Sequence, residues 1–325
     1  MTVTENEARY DVVVIGGGAA GLSGALMLAR ARRSVLVVDA GTPRNAPAEA
    51  VHGLFARDGV PPAELLATGR GEVRRYGGAV IDGRVVEVSR DDGGLRVELE
   101  GGHAIGARRL LVASGVVDAL PDVAGLRERW GRDVVHCPYC HGWEVRDRRI
   151  GVLATGPRAM HQVQLFRQWS DDVVLLLNDA MEPSGQEAEE LAARGIEVVA
   201  GAVASVEVRG DALTGVRLAD GRLVDLGALA VATRTDARAE FLAPLGLEPA
   251  PHPSGMGSTI AADAFGRTAA PGVWVAGNAA DMSAQVGGAA AAGAMAAAQI
   301  NMDLVTEEIA SAVTARRDTA VPAGS

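Results

Sequence analysis

Apolar residues in this chain fall into short unbroken runs separated by glycine-rich turns and amphipathic stretches. That pattern belongs to parallel strands buried on both faces by helices. From Asp11 the chain passes through Val12, Val13, Val14 and Ile15 and meets Gly16-Gly17-Gly18-Ala19-Ala20-Gly21. It continues in a helical pattern carried by Leu22, Leu26, Met27 and Leu28 to about Arg32. A second apolar run, Val35 to Val38, ends at Asp39, so the opening reads strand, glycine turn, helix, strand. Helical periodicity returns over Pro62 to Arg75, where Pro61 and Pro62 suit a helix start. Strands are predicted at Val85 to Val88 and Leu95 to Leu99 around the turn Asp91 to Gly94, and at Leu110 to Ala113 before Ser114-Gly115.

Pro121 and the charged run Arg127 to Asp133 mark a first boundary. Beyond His136 to Asp147 the opening pattern recurs: strand Ile150 to Leu153, turn Ala154 to Pro157, helix Ala159 to Trp169, strand Val173 to Leu177. A helix over Gly185 to Arg194, a strand at Val198 to Val199 and a β-rich run Val203 to Leu218, broken at Arg209 to Asp211, complete this half. The Pro- and Gly-rich stretch Leu242 to Gly257 is the second boundary. After it come a short strand through Val273 to Val275, a turn at Gly277-Asn278 and a long Ala-rich helix from near Gln285 to Ala315. The fold class is therefore α/β, with two Rossmann-like βαβ nucleotide-binding units. The first ten residues read as a poorly ordered lead.

Composition narrows the chemistry. All 31 basic residues are Arg, which removes lysine Schiff bases and phosphate loops that need Lys. Net charge is -10 and no basic stripe appears, so neither nucleic acid nor an anionic membrane is an expected partner. The start lacks the charged-then-apolar pattern of a secretory signal, and the uncharged run Val286 to Ile300, 15 residues, is too short to span a bilayer. A cytoplasmic location is the expectation. The only cysteines, Cys137 and Cys140, form one CxxC, which suits an intracellular redox pair better than a disulfide framework.

Gly16, Gly18 and Gly21 fit a dinucleotide turn: the first permits the tight bend, the second lets a pyrophosphate approach the backbone, and the third lets helix and strand pack closely. Asp39, 23 residues beyond Gly16 at the end of the next strand, is placed to accept from a ribose hydroxyl. In Cys137-Pro138-Tyr139-Cys140, a helix beginning near Cys137 would join the sulfurs and lower the first thiol's pKa. Zinc would need His136, Cys137, Cys140 and His141 as four ligands within six residues, a poor tetrahedral set. His141 is instead a candidate acid and base for thiol exchange, while His136 is as readily a structural hydrogen-bonding residue.

From Tyr10 to about Glu308 the chain resembles the flavoprotein disulfide reductases of low-molecular-weight thioredoxin reductase type. The resemblance rests on the early glycine motif, the CxxC in the second half, and Ala276-Gly277-Asn278 followed by Gln285-Val286. It implies a homodimer and FAD held by a discontinuous domain, 1–117 and 243–325. An inserted CxxC-bearing, degenerate NAD(P)-binding-like domain would span 118–242. It also implies that Gly115, Gly277, Asn278, Gln285 and Val286 join Gly16, Gly18, Gly21 and Asp39 around the flavin cofactor, with Cys140 beside the flavin and Cys137 exchanging with substrate.

Several positions depart from that pattern. His141 replaces an acid after the second Cys, Asn278 replaces Asp, and Ala154 replaces the first glycine of the second motif. Asn178-Asp179 and Glu182 stand where a basic cluster is expected. These departures resemble the FAD-dependent dithiol oxidases that close disulfides in small natural products, of holomycin and gliotoxin type. The expectation is therefore an oxidase acting on a small-molecule dithiol, with dioxygen as acceptor and hydrogen peroxide as product. An NAD(P)H-dependent thioredoxin or disulfide reductase, and a flavin-binding redox sensor, remain alternatives.

Overall fold

Residues 8–320 are described by the computed structural model. Most of the expected disordered lead thus lies outside the described residues, while Arg9 and Tyr10 already belong to a strand. The chain begins with β1 (Arg9–Ile15), α1 (Ala19–Arg30), β2 (Val35–Asp39), α2 (Pro62–Arg75), β3 (Ala79–Asp82), β4 (Val85–Asp91), β5 (Gly94–Leu99), β6 (Ala104–Val112) and β7 (Val116–Ala119). Next come β8 (Val134–Val135), α3 (Pro138–His141), β9 (Ile150–Leu153), α4 (Ala159–Phe166), β10 (Val173–Leu176), α5 (Gly185–Ala193) and β11 (Glu197–Val199). The chain closes through β12 (Val203–Arg209), β13 (Ala212–Leu218), β14 (Leu223–Asp225), β15 (Ala228–Val231), β16 (Arg234–Ala237), β17 (Ala250–Pro251), β18 (Gly257–Thr259), β19 (Val273–Val275) and α6 (Val286–Ala320).

These elements form two compact units: Met1–Pro43 with Ala63–Val117 and Asp236–Ser325, and Arg44–Pro62 with Asp118–Thr235. Two boundaries differ from the sequence reading. The chain returns to the first unit near Asp236 rather than 243, because Phe241, Leu242 and Leu247 are buried in that unit's core. Residues 44–62, expected in the first unit, belong to the second. There Arg44 forks onto Asp118, and Gly131, at φ +82, packs against Pro47 closely enough that a Cβ would sit 2.7 Å from the proline Cβ.

In the first unit β3, β2, β1 and β6 are parallel neighbours. The nine-residue β6 changes partner along its free edge: its first half pairs antiparallel with β5, its second half parallel with β19. Val12 and Val14 face α1 and α6, while Val13 and Ile15 face the opposite cluster, so both faces of β1 are buried as the unbroken apolar run requires. α1 and α6 approach at their small residues, since a Cβ on Gly24 would meet Gly293 O at 3.0 Å and one on Gly293 would meet Ala20 Cα at 2.9 Å.

The second unit repeats the parallel plan with the order β11-β10-β9-β15-β8, and adds the antiparallel sheet β12-β13-β14. Arg209 to Asp211, read as a break, is the turn of the β12–β13 hairpin. A buried Arg129–Asp133 fork, with Leu213 N donating to Asp133 Oδ2 at 2.8 Å, ties that hairpin to the segment before β8. α4 stops at Phe166, three residues earlier than its periodicity suggests, and Trp169 turns back to meet Tyr139 edge-on, with ring centroids 5.7 Å apart.

Candidate functional site

The glycine turn after β1 is built by close approaches. Gly16 has φ +107, and a Cβ there would lie 2.7 Å from the Ala113 carbonyl carbon. Gly21 would meet Gly16 C at 3.0 Å, which explains the third glycine. Gly18 differs: a Cβ on it would touch nothing within 4 Å. It is also the N-cap of α1 and supplies no side-chain acceptor, leaving the first N–H groups of the helix open to an anion. Asp39 is buried; it accepts from Arg70 and, through Oδ1, from Gly41 N at 3.2 Å. A carboxylate has acceptor capacity beyond those two, so a ribose hydroxyl can still be served.

Gly115 (φ +70) also faces open space, and Gly277 (φ +71) packs against Ala20, where a Cβ would lie 2.8 Å from the alanine methyl. Asn278, expected at the flavin, spends its amide on the loop before α6: Nδ2 donates to Asp281 O at 3.0 Å and Ala284 O at 2.9 Å. An aspartate would face those carbonyls with no proton to donate, which is a structural reason for Asn here. Gln285 is exposed and its carbonyl accepts from Ala289 N, so Val286 opens α6. Open glycines, an uncapped helix start and a buried acid at the end of β2 together fit an adenine dinucleotide.

In the second unit Cys137 is the N-cap of the one-turn helix α3, with Pro138 at its first position, where a missing N–H costs nothing. Cys140 N and His141 N both donate to Cys137 O, at 3.2 and 3.1 Å. That turn brings the two Sγ atoms within 2.8 Å, and both cysteines are free thiols. Cys137 is lowered to about 7, first by the Cys140 thiol donating to it and then, against burial, by the Cys140 and Tyr139 backbone N–H groups and the Arg44 charge. The same hydrogen bond and burial push Cys140 up. The thiolate of the pair therefore lies on Cys137, and Cys140 holds the shared proton. Gly142 holds the helix against Trp169, whose ring atoms would lie 2.8 Å from an added Cβ.

His136 has Nδ1 3.1 Å from Val231 O, and its carbonyl accepts from Gln162 Nε2 at 2.8 Å. Burial pushes its pKa down, and the Arg44 charge adds to that, so the imidazole is neutral with Nδ1 as donor. His141 is held differently: both ring nitrogens are buried and neither has a hydrogen-bond partner. Burial lowers its pKa while the Glu144 charge opposes. An unpaired buried imidazole costs about 1–3 kcal/mol, an expense expected where a side chain serves a reaction.

Three residues near this turn escape sequence reading. His52 lies between Asp58 (Nδ1 to Oδ1, 3.5 Å) and Glu144 (Nε2 to Oε1, 3.4 Å). Arg44 forks onto Asp118 at 2.6 and 2.7 Å, and Thr233 Oγ1 donates to the same carboxylate at 2.6 Å. His52 and Arg44 lie more than eighty residues before the CxxC, and no local motif marks them.

The second βαβ turn is less damaged than its sequence suggests. Ala154 is absent from the positive-φ residues, so alanine carries no backbone strain there, and its N–H donates to Leu176 O at 2.9 Å. Gly156 has φ +153 and open space where a Cβ would be, leaving the turn free for a ligand. Asn178 bridges the unit, donating from Nδ2 to Ala154 O at 3.2 Å and accepting from Val203 N at 2.8 Å.

Residues 10–317 match the family model of the pyridine nucleotide-disulphide oxidoreductases. The chain is 34% identical over 316 residues to thioredoxin reductase tcpT of Claviceps purpurea, covering 90% of this chain and 95% of that one. It is 30% identical to thioredoxin reductase sirT of Leptosphaeria maculans, covering 93% and 96%. Among solved structures it is similar to HlmI, at 45% identity and TM-score 0.90 over 98% of this chain and 99% of that one. An oxidoreductase from Agrobacterium tumefaciens aligns at 38% identity and TM-score 0.86, over 92% and 99%.

These relatives overturn the oxygen-dependent oxidase expected from the sequence, together with its small-molecule dithiol and dioxygen. The relatives whose names state an activity are thioredoxin reductases, and the family draws on a pyridine nucleotide. Two of the departures behind that expectation have structural reasons: Ala154 fits its turn without strain, and Asn178 is a structural tie. Among the described residues no helix is long and apolar enough to cross a membrane. The chain belongs to the pyridine nucleotide-disulphide oxidoreductase family and is a thioredoxin-reductase-like FAD flavoprotein.

Proposed function

We propose that this protein is an NAD(P)H-dependent disulfide reductase that passes an electron pair to the disulfide of a thioredoxin-type protein. The observation carrying the proposal is the Cys137–Cys140 pair, with sulfurs 2.8 Å apart and opposed pKa shifts, in a chain of a pyridine nucleotide-disulphide family. Gly16, Gly18, Gly21 and Asp39 bind the cofactor, with Gly115, Gly277, Gln285 and Val286 completing the site and Asn278 shaping the loop before α6. FAD, when bound, relays the electron pair from nicotinamide to the cysteine pair.

In the reduced protein the Cys137 thiolate attacks one sulfur of the substrate disulfide, forming a mixed disulfide and releasing the other sulfur as a thiolate. Cys140 loses its proton and attacks the Cys137 sulfur, which closes the Cys137–Cys140 disulfide and frees the second substrate thiol. Of the two protons that end on the substrate thiols, one comes from Cys140 and the other from solvent. His141 accepts the Cys140 proton and returns it to the leaving thiolate, a role open to a neutral buried imidazole. His136, with Nδ1 committed to Val231 O, positions the strand before Cys137. Tyr139 and Trp143, both mostly exposed around the CxxC turn, give a protein substrate apolar surface to meet.

Anaerobic rapid mixing tests the proposal. NADH or NADPH should bleach the oxidised flavin, and added oxidised thioredoxin should restore it while releasing two thiols per turnover. Bleaching by a small dithiol but by neither nucleotide would overturn it.

A further inference from the structure

Parallel pairing brings the ends of two strands together in the second unit. Ile150 to Leu153 of β9 align with Val173 to Leu176 of β10, so the chain leaving β10 runs beside the turn leaving β9. The Asn178–Ala154 hydrogen bond, 3.2 Å, closes that proximity. In a βαβ nucleotide unit the pyrophosphate rests on the first turn, and the adenosine ribose lies at the end of the second strand. A carboxylate there accepts from the free 2'-hydroxyl, whereas a 2'-phosphate needs a guanidinium.

Asn178 is held in place at both ends of its amide, by Ala154 O and Val203 N, and lacks the negative charge of a carboxylate acceptor. The next residue is Asp179. It is exposed, and among the described residues no hydrogen bond or ion pair engages its carboxylate. Asn178 and Asp179 are consecutive left-handed residues, φ 51 and 50, in a chain where only five non-glycine residues among those described have positive φ. Among non-glycine residues Asn and Asp visit this conformation most readily, because their short polar side chains hydrogen-bond locally. The double hydrogen bond of Asn178 maintains it and fixes where Asp179 is presented.

The charged residues on the loop after β10 are both acids. Glu182 follows on the same loop and is also exposed and unpaired among the described residues. The loop after the neighbouring strand β11 is met by Arg222, which donates to Ala200 O at 2.8 Å, but that guanidinium is already paired with Asp220 at 2.7 Å. Arg158, exposed at the start of α4, stands on the turn itself and can serve the pyrophosphate common to both nucleotides, so it does not discriminate.

We infer that Asp179, held beside the β9 turn by Asn178, reads the adenosine ribose and makes NADH rather than NADPH the electron donor. The inference rests on the reductase reading. The acids that seemed in sequence to argue against nucleotide use act as a selector between nucleotides. A 2'-phosphate would approach two unpaired carboxylates on a loop, residues 177–184, that carries no basic residue, while the free ribose hydroxyl of NADH would find an acceptor in Asp179. The overall step balances as NADH, a proton and a disulfide giving NAD+ and two thiols.

Binding to the oxidised holoprotein, measured by titration calorimetry with NAD+ and NADP+, tests this without turnover. NAD+ should bind at least about tenfold more tightly than NADP+. Asp179→Asn, which tolerates the left-handed backbone, should weaken NAD+ and narrow the ratio. Asp179→Arg with Glu182→Arg should bring NADP+ to parity or better. Tighter NADP+ binding by the unaltered protein, or an unchanged ratio in Asp179→Asn, overturns the inference and leaves the reductase reading standing. Failure of both nucleotides to bind, with no anaerobic flavin bleaching by NADH or NADPH, overturns both.

Discussion

Replacing Gly293 with Ala should loosen the flavin unit from a position far along the chain from the glycine turn. An added Cβ would sit 2.7 Å from Ala20 C and 2.9 Å from Ala20 Cα, against a comfortable carbon–carbon separation of about 3.5–4.0 Å. The clashing atoms are backbone on both helices, so no rotamer relieves them. α1 and α6 must part by about 1 Å, and overpacking of this kind costs about 1–3 kcal/mol. Alanine regains about 1 kcal/mol of helix propensity over glycine, which leaves a net loss of about 2 kcal/mol at the severe end. At about 2–4 °C per kcal/mol for a unit of 150–250 residues, Tm should fall by about 4–8 °C. Ala20 is two residues beyond Gly18, so the helix start that would hold the diphosphate moves with it. FAD affinity of the stripped protein should drop by about tenfold, or about 1.4 kcal/mol. Differential scanning calorimetry and flavin fluorescence titration measure the two effects. Gly71→Ala, in α2 with open space around its Cβ, is the matched control and should hold or raise Tm. Wild-type Tm and FAD affinity in Gly293→Ala would refute the close-packing argument.

Other expectations can be checked independently. Cys137 in the reduced protein should alkylate with an apparent pKa of about 7, and Arg44→Met should raise it by removing a facing charge; a profile at the ordinary thiol value, unchanged by that substitution, would contradict the assignment. His141→Asn should keep FAD and the Cys137–Cys140 disulfide but slow disulfide exchange by about 100- to 10,000-fold, and exchange at the unaltered rate across neutral pH in stopped-flow traces would remove His141 from the chemistry. Arg129→Met strands the buried Asp133 carboxylate and should cost about 3–5 kcal/mol at neutral pH in urea unfolding. Arg129 and the Leu213 N–H hold the Asp133 pKa below its usual range against burial, so the stability of the intact pair is present above that range and is lost as pH falls through the lowered value, whereas without Arg129 burial raises the carboxyl and the variant protonates it at higher pH. The deficit of the variant should therefore shrink in acid, and an equal deficit at pH 4 and pH 7 would count against the pairing.

How far the site could be read from sequence follows the range of the interactions involved. The turn through Gly16, Gly18 and Gly21 to Asp39 was legible because a strand, its turn, the following helix and the next strand close within thirty residues, and Gly16 and Gly21 answer local steric demands. The CxxC was legible for the same reason, since one helical turn is enough to join its sulfurs. The bonds of the Asn278 amide to Asp281 O and Ala284 O were not legible, because the direction of those carbonyls depends on how the loop before α6 folds. Ala154 and Asn178 misled more seriously. Residue type at a motif position reports what a ligand would meet only when the backbone angle and the side chain's existing bonds are known.

The chain by itself determined two βαβ units, a dinucleotide turn in the first and a dithiol in the second, because apolar runs, glycines and a CxxC express themselves over a few residues. Only the tertiary structure decided that residues 44–62 join the second unit, bringing His52 to Glu144 and Arg44 to Asp118. It alone showed that His141 is buried without a hydrogen-bond partner, and that Asp179 stands at the end of β10 beside the turn after β9. Those pairings join segments far apart in sequence, and the burial and hydrogen bonding that set their chemistry exist only once the sheets have brought the segments together.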